Sequence, residues 1–171
     1  MMLTLMLYIA LTAAPMYVAN ASAMIFGGKT PIDGGKHFWD GKPLLGKGKT
    51  WKGTMMGVLL GTFAGLLIWN FFSAEAALLS SEYPSYAFLL ALGAIAGDMV
   101  GSFIKRRMNI ERGKQAPLLD QLDFVIGGLV LGLVYFQPDV VQVLVLILIT
   151  PLIHSLANRI AFLLKLKNVP W

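Results

Sequence analysis

The chain has 171 residues, of which 57% are hydrophobic and only 13% are charged, and its mean hydropathy is +0.70. A soluble domain of this size is less apolar, so the composition indicates an integral membrane protein. Cysteine is absent, which excludes disulfides, thiolate metal sites and a cysteine nucleophile. The net charge of +5 comes from Lys and Arg in a few loops, without the interleaved aromatic residues of a nucleic-acid-binding surface.

The first apolar segment, 2–25, has features of two kinds of sequence. Ala21-Ser22-Ala23 after an apolar run is also seen at the cleavage site of a signal peptide. A signal peptide begins with positive charge, however, and no Lys or Arg precedes Lys29. The segment is long enough to cross a hydrocarbon core about 30 Å thick. We therefore expect a retained transmembrane helix with the polar Asn20 near its end.

Four further apolar segments follow, and their lengths favour helices over a β-barrel, whose strands alternate polar and apolar residues. The sequence predicts an all-α integral membrane protein that forms one polytopic domain with five transmembrane helices. The predicted spans are about 2–25, 54–72, 85–104, 119–136 and 140–164, and the loops between them include 26–53 and 105–118.

The charges predict an orientation in the membrane. All fourteen Lys and Arg fall on one side if the chain crosses five times, because the connections on the other side carry none. By the positive-inside rule, the N-terminus lies outside, while the C-terminus and the long loop 26–53 are cytoplasmic. We expect a multi-pass protein of the cell membrane whose active site faces the cytoplasm.

Glycine recurs every four residues in two of the predicted spans, and such stripes let helix backbones approach closely. Packing within the subunit is the simpler interpretation, and a homodimer seam is the alternative. The stripes are Gly53, Gly57, Gly61 and Gly65 in the second span, and Gly93, Gly97 and Gly101 in the third.

Loop 26–53 is long, rich in Gly and Lys, and contains Gly48-Lys49-Thr50, which resembles the end of a P-loop. It is not a P-loop, because Pro43 stands where a glycine is required and no strand precedes it. Its glycines can still offer backbone N–H groups to a phosphate, and its lysines supply positive charge. Trp51 fits either stacking on a nucleotide base or a position at the membrane interface.

The third predicted span places several polar side chains on one helical face. Asp98, Ser102, Lys105 and Arg106 lie at i, i+4, i+7 and i+8. A carboxylate at membrane depth is costly and is rarely kept without a function. The face fits a metal-bound triphosphate, with the metal at Asp98, Ser102 as a hydrogen-bond partner and the bases on the phosphates. Arg107 is explained by interfacial anchoring alone.

Asp120 and Asp123 lie at i and i+3 at the start of the fourth predicted span, so their carboxylates face the same way. The helix dipole favours an acid in the first turn, which explains Asp120 alone but not the deeper Asp123. Opposite Asp98, the two acids would hold one or two Mg²⁺ ions. Proton relay is the competing use of buried acids, but it does not require the surrounding cations.

His154 and Asn158 lie at i and i+4 of the fifth predicted span, after a kink expected at Pro151. They either reach the site or hydrogen-bond a neighbouring helix, and the sequence leaves both interpretations open. The Ser, His and Asp residues do not have the arrangement of a hydrolytic triad.

Together these residues resemble the phosphatidate cytidylyltransferase superfamily. Its signature of a Ser, a basic pair, a Lys and D-x-x-D matches Ser102, Lys105-Arg106, Lys114 and 120–123. The short chain and the segment 113–117, in place of a Gly/His-rich stretch, are similar to the archaeal branch, the CDP-archaeol synthases. That branch also resembles the chain in three further segments, 31–36, 40–42 and 167–171.

The resemblance implies a Mg²⁺-dependent transfer of CMP from CTP to 2,3-di-O-geranylgeranylglycerol 1-phosphate, an isoprenoid ether lipid phosphate, in the bilayer. The products would be CDP-archaeol and pyrophosphate. It implies catalytic roles for Lys105 and for the metal ligands Asp98, Asp120 and Asp123. The residues expected to bind the nucleotide or its phosphates are Asn20, Lys49, Thr50, Trp51, Ser102, Arg106 and Lys114.

Three other functions remain as alternatives. A CTP-dependent polyprenol or lipid kinase would release CDP instead of pyrophosphate. A small cation-coupled transporter would also keep buried carboxylates and glycine-rich helices, but it would not explain the long Gly/Lys loop. A CDP-alcohol phosphotransferase is disfavoured, because Asp98 follows a Gly instead of preceding one.

Overall fold

The computed structural model describes residues 2–165, with side chains from residue 5 onward. This part of the chain is helical, and its β pairing is limited to two isolated bridges in the first loop. The predicted all-α class is confirmed, whereas Lys167 and the segment 167–171 lie outside the described residues. The helices are α1 (Met2–Ile25), α2 (Trp51–Phe71), α3 (Ser73–Ala77), α4 (Tyr83–Arg107), α5 (Leu119–Gly132) and α6 (Val140–Leu163).

Four of these helices, α1, α2, α4 and α6, are long and apolar enough to cross a membrane. Helix α5 coincides with the predicted fourth span but has 14 residues. At about 1.5 Å per residue it is about 21 Å long, shorter than a hydrocarbon core of about 30 Å. Five crossings, and the orientation that follows from them, therefore remain predictions.

The glycine stripe of α2 packs inside the subunit. A side chain at Gly53 would lie 2.6 Å from the carbonyl oxygen of Ala23 on α1, and one at Gly57 would lie 2.9 Å from that of Ala19. On the other side, Gly65 lies against Ala87 of α4. Helix α2 therefore fits between α1 and α4, because its stripe carries no side chains.

The second stripe joins α4 to α5. Gly93 lies against Gly127, and Gly97 and Gly101 lie against the backbone and side chain of Asp123. The predicted packing within the subunit is thus confirmed. A homodimer built on either stripe would have to separate helices of the same chain.

Helix α1 contains a buried proline whose effect on the helix is compensated from α4. Pro15 has no N–H, so the carbonyl of Leu11 lacks its usual donor in the helix. The hydroxyl of Tyr83 donates to that carbonyl at 2.6 Å. The buried carbonyl of Leu11 is therefore hydrogen-bonded by a side chain of a different helix, α4.

Helix α6 is the least embedded of the long helices. Its buried residues are Leu146, Thr150 and Asn158, and most of its other side chains are partly or fully exposed. Thr150 accepts a hydrogen bond of 2.8 Å from Tyr17 of α1. The helix begins with a capping box formed by Asp139 and Gln142.

Candidate active site

The C-terminal ends of α1 and α4, the N-terminal ends of α2 and α5, and the C-terminal half of α6 surround a cavity of about 890 Å³. Its volume lies within the range of about 300–1,000 Å³ that is common for ligand sites. The cavity brings together several side chains that the sequence singled out. These are Asn20, Lys49, Thr50, Asp98, Lys105, Lys114 and Asp120.

The charges that line this cavity are mostly positive. Two acids, Asp98 and Asp120, are accompanied by more cations than they can neutralise, which suits a polyphosphate. The sequence predicted that lysines of the first loop, which include Lys47, supply positive charge to a phosphate, but it did not indicate that Arg112 faces the site. The lining cations are Lys47, Lys49, Lys105, Arg112 and Lys114.

Each of the two acids is paired with a lysine from another part of the chain. Lys49 Nζ of the first loop lies 2.5 Å from Asp98 Oδ2 on α4. Lys105 Nζ, also on α4, donates to Asp120 Oδ1 on α5. The other oxygen of Asp120 accepts from the backbone N–H of Ala116 at 2.8 Å. These pairs hold the carboxylates in place and neutralise them before any ligand binds.

Asp123 lies beside this arrangement and not on the cavity wall. Its carboxylate packs against Gly101, close enough to Asp98 for the two charges to interact. Asp123 Oδ1 accepts from the N–H of Phe124 at 2.7 Å.

A three-acid metal cluster does not form within residues 5–165, where no three His, Cys, Asp or Glu side chains are grouped for one ion. Mg²⁺ at nucleotide sites is commonly held by one or two carboxylates together with substrate phosphates. Asp98 with Asp123 or Asp120 supplies hard oxygen ligands of that kind. The residues present therefore fit Mg²⁺ bound together with a nucleotide.

Three predicted phosphate or nucleotide ligands do not line the cavity. Ser102 is buried in the helix packing of α4, with 5% of its surface exposed. Arg106 is half-buried, and its Nε has no hydrogen-bond partner among the described residues. Trp51 begins α2 and is 55% exposed. Their predicted roles stay predictions that would need substrate binding to bring them into contact.

The first loop places Lys49 by pairing its own two ends. The N–H of Ile32 donates to the carbonyl of Lys49 at 2.8 Å, and the N–H of Trp51 donates to that of Thr30 at 3.2 Å. Thr50 caps α2, where its hydroxyl accepts from the N–H groups of Gly53 and Gly28. Thr50 therefore has a structural role in addition to its place on the cavity wall.

Asp33, which the sequence did not single out as functional, organises the interior of this loop. It is 8% exposed, and its carboxylate accepts from the N–H groups of Gly35, Leu45 and Gly46 at 2.9–3.1 Å. Burial alone would raise the pKa of Asp33, but these three backbone donors together lower it below its ordinary value. The carboxylate thus fixes the turn that leads to Lys47, Gly48 and Lys49.

Arg107 attaches the same loop to α4, so interfacial anchoring does not account for it. Its guanidinium lies over the rings of Phe38 and Phe103, 5.0 and 4.7 Å from their centroids. It also lies 3.1 Å from Asp40 Oδ1 and donates to the carbonyl of Pro43. The sequence contains no signal for this role, because the partners in the loop, Phe38, Asp40 and Pro43, are more than 60 residues away in the chain.

His154 and Asn158 resolve the choice that the sequence left open. Both line the cavity, and Asn158 Nδ2 lies 3.2 Å from His154 Nδ1. The His154 ring packs near that of Phe124 on α5, with centroids 5.8 Å apart. The two residues form the α6 side of the site.

Comparison with known proteins identifies the family to which the chain belongs. A family model described as "CarS-like: CDP-archaeol synthase" matches residues 2–171. The CDP-archaeol synthase of Methanocaldococcus jannaschii is 49% identical over 92% of this chain and 92% of its own length. That of Pyrococcus abyssi is 45% identical over 92% of this chain and 93% of its own length.

A solved structure is also similar. It is described as an intramembrane enzyme for archaeal membrane lipids biosynthesis, and the chain matches it with a TM-score of 0.78 and 38% sequence identity. The match covers 86% of this chain and 90% of that one. The chain belongs to the CDP-archaeol synthase family, and it is thus a membrane enzyme of the CTP-dependent cytidylyltransferase class.

Proposed function

We propose that the protein transfers CMP from CTP to 2,3-di-O-geranylgeranylglycerol 1-phosphate in a Mg²⁺-dependent reaction on the cytoplasmic side of the membrane. One observation carries the proposal most directly. The cavity joins a cationic loop that bears Lys47 and Lys49 to the carboxylate of Asp98, which is held by α4, a helix that is apolar enough to cross a membrane. Such a cavity suits a soluble polyphosphate and a lipid that meet at the membrane surface.

The reaction needs one bond to form and one to break. An anionic oxygen of the lipid phosphate bonds to the α-phosphorus of CTP. The bond from that phosphorus to the bridging oxygen breaks, and pyrophosphate leaves with the electron pair. Because the attacking phosphate is already anionic near neutral pH, no general base is obligatory. Positioning and charge neutralisation supply most of the catalysis.

The chain's own residues divide this work. When the phosphates bind, Lys49 and Lys105 either leave their partners Asp98 and Asp120 or contact both the aspartate and a phosphate. Their positive charge offsets the charge of the phosphates and keeps the cavity close to neutral. Arg112 and Lys114 lie on the cavity wall, where they stabilise negative charge on the leaving pyrophosphate. Asp98 with Asp123 or Asp120 would hold Mg²⁺, which would supply further charge neutralisation on the phosphates.

Product analysis tests the proposal. The purified protein in detergent is incubated with radiolabelled CTP, Mg²⁺ and a panel of lipid phosphates that differ in chain chemistry. We expect a CDP-lipid and pyrophosphate in equal amounts, with the isoprenoid ether lipid preferred. Release of CDP would instead identify a lipid kinase, and no consumption of CTP with any lipid would refute both.

The metal assignment has a separate test. Asp123→Asn keeps the shape of the side chain but replaces a carboxylate oxygen beside Asp98 with an amide nitrogen that cannot bind Mg²⁺, so we expect turnover to be abolished in a protein that stays folded. Activity is measured across a Mg²⁺ titration, and thermal unfolding in detergent is the control. Wild-type turnover by the variant would remove Asp123 from the metal site.

A further inference from the structure

A second, smaller cavity lies between α5 and α6, next to the first. Its volume is about 180 Å³, too small for a nucleotide by the usual size of ligand sites. Residues of the segment before α5, of α5 and of α6 form its wall. They include Gln115, Gln121, Ser155 and Arg159, none of which lines the larger cavity.

Three residues line both cavities and form the wall between them: Asp120, His154 and Asn158. Asp120 belongs to the Lys105 pair, and His154 and Asn158 contact each other. Two reacting groups must come within about 3–3.5 Å of each other. A substrate in each cavity would meet its partner at this wall.

The smaller cavity has the chemistry of a site for one phosphate group. Arg159 contributes a guanidinium, and the ion pairs within residues 5–165 do not include it. Gln121 and Ser155 add neutral donors and are already oriented by a hydrogen bond of 3.2 Å between them. A guanidinium with adjacent amide and hydroxyl donors is a common way to bind a phosphate monoester.

The position of Arg159 on α6 favours a phosphate that belongs to a lipid. Leu152, Ser155, Leu156 and Arg159 lie at i, i+3, i+4 and i+7, along one stripe of the helix. Leu152 is 72% exposed and Leu156 is 60% exposed, on a helix that is apolar enough to cross a membrane. The stripe therefore runs from lipid-facing leucines to a cation at the polar site.

We infer that the small cavity holds the phosphate of the lipid substrate, with Arg159 as its principal ligand and Gln121 and Ser155 as further donors. CTP then occupies the larger cavity alone. The lipid chains lie along Leu152 and Leu156, and the phosphate reaches the nucleotide at the wall of Asp120, His154 and Asn158. This inference rests on the proposed function, since it assigns the second substrate of that reaction.

Steady-state kinetics separate the two cavities. We expect Arg159→Gln to raise the apparent KM for the lipid phosphate, as a mole fraction in mixed micelles, about ten- to a hundred-fold, because one charge-assisted contact is lost. The KM for CTP should change less than about twofold, because Arg159 does not line the larger cavity that holds CTP. Arg159→Lys should recover part of the loss. Lys165→Gln, which removes a cation at the same end of the chain but lines neither cavity, is the matched control.

An unchanged KM for CTP also shows that the variant is folded. A rise in the KM for CTP, an equal rise for both substrates, or no change in either would overturn the assignment. Arg112→Gln should show the opposite selectivity, since Arg112 lines only the larger cavity.

Equilibrium binding of the lipid phosphate without CTP tests the site independently of the reaction. Wild-type protein should bind it and Arg159→Gln should bind at least about tenfold more weakly, even if the product analysis identified a kinase. Equal binding by both proteins would refute the site. Inorganic phosphate is the competitor: displacement of the lipid at equal concentration would show that the cavity holds free phosphate, which would refute the lipid assignment.

Discussion

Substitution of Gly97 by alanine tests whether the contact between α4 and α5 sets the geometry of the site. The added Cβ would lie 3.0 Å from both the carbonyl carbon of Asp123 and the Cα of Gly127, and closer still to the Asp123 carbonyl oxygen. Carbon atoms pack at about 3.5–4.0 Å, and the carbonyl oxygen is the tightest of these contacts, so the two helices must separate by about 1 Å or more. The change falls beside Asp98 and directly opposite Asp123.

The expected effect on activity is larger than the effect on stability. Overpacking of this kind costs about 1–3 kcal/mol, and the better helix propensity of alanine returns about 1 kcal/mol. The net loss of stability is therefore about 0–2 kcal/mol. A displacement of about 1 Å at reacting groups lowers kcat about a hundred-fold. We expect a folded enzyme with a strongly reduced kcat.

The assay measures pyrophosphate release at saturating substrates, together with thermal unfolding in detergent. Gly132→Ala is the matched control, because its Cβ would lie 3.0 Å from the side chains of Leu90 and Tyr86 in the same seam. It lies nine residues beyond Asp123, about 13 Å further along α5, so kcat should change less than about threefold. A wild-type kcat for Gly97→Ala, or an equal loss for Gly132→Ala, would refute the reasoning.

Three further predictions concern the first loop. Lys49→Ala should raise the KM for CTP about tenfold or more. Adding Asp98→Asn should raise this KM no further, because the two side chains form one ion pair. Additive effects in a double-mutant cycle would show that the two residues act separately. Arg107→Lys keeps the charge but loses the stacking on Phe38 and Phe103, so amide exchange across 36–44 should increase while thermal stability changes little, and unchanged exchange would contradict the attachment. The lowered pKa of Asp33 means that the unfolded loop binds more protons, so its stabilisation is complete above the ordinary Asp pKa of about 3.9 and is lost as the pH falls through the folded value. Limited proteolysis of the loop from pH 7 to pH 3 checks this, and Asp33→Asn should be cleaved rapidly throughout; equal protection of both proteins at pH 7 would count against the role of Asp33.

The sequence predicts well what depends on spacing along one helix. The glycine stripes repeat every four residues and do pack against neighbouring helices, and Asp98 and Lys105 do line one cavity. These features follow from the helical period and from the high cost of polar groups in hydrocarbon. By its spacing Ser102 belongs to the same helical face, but its side chain is buried in the packing around α4 and does not line the cavity.

What the sequence does not predict depends on contacts between distant segments. Arg107 has the same local context as Lys105 and Arg106, and only the folded loop shows that it binds Asp40 and stacks on Phe38. Asp33 is one acid in a glycine-rich loop, and its three donors come from both sides of the turn. The number of crossings is uncertain from the sequence for a related reason, since an apolar stretch gives no indication of where α5 ends.

The bond from Tyr83 to the carbonyl of Leu11 has a consequence for how the protein is made. The two residues are 72 positions apart, and hydrocarbon contains no water that could replace the tyrosine as donor. On its own, α1 therefore enters the bilayer with one backbone group unsatisfied at Pro15. Because α1 precedes α4 in the chain, α1 reaches its final hydrogen-bonded state only after α4 has been inserted beside it.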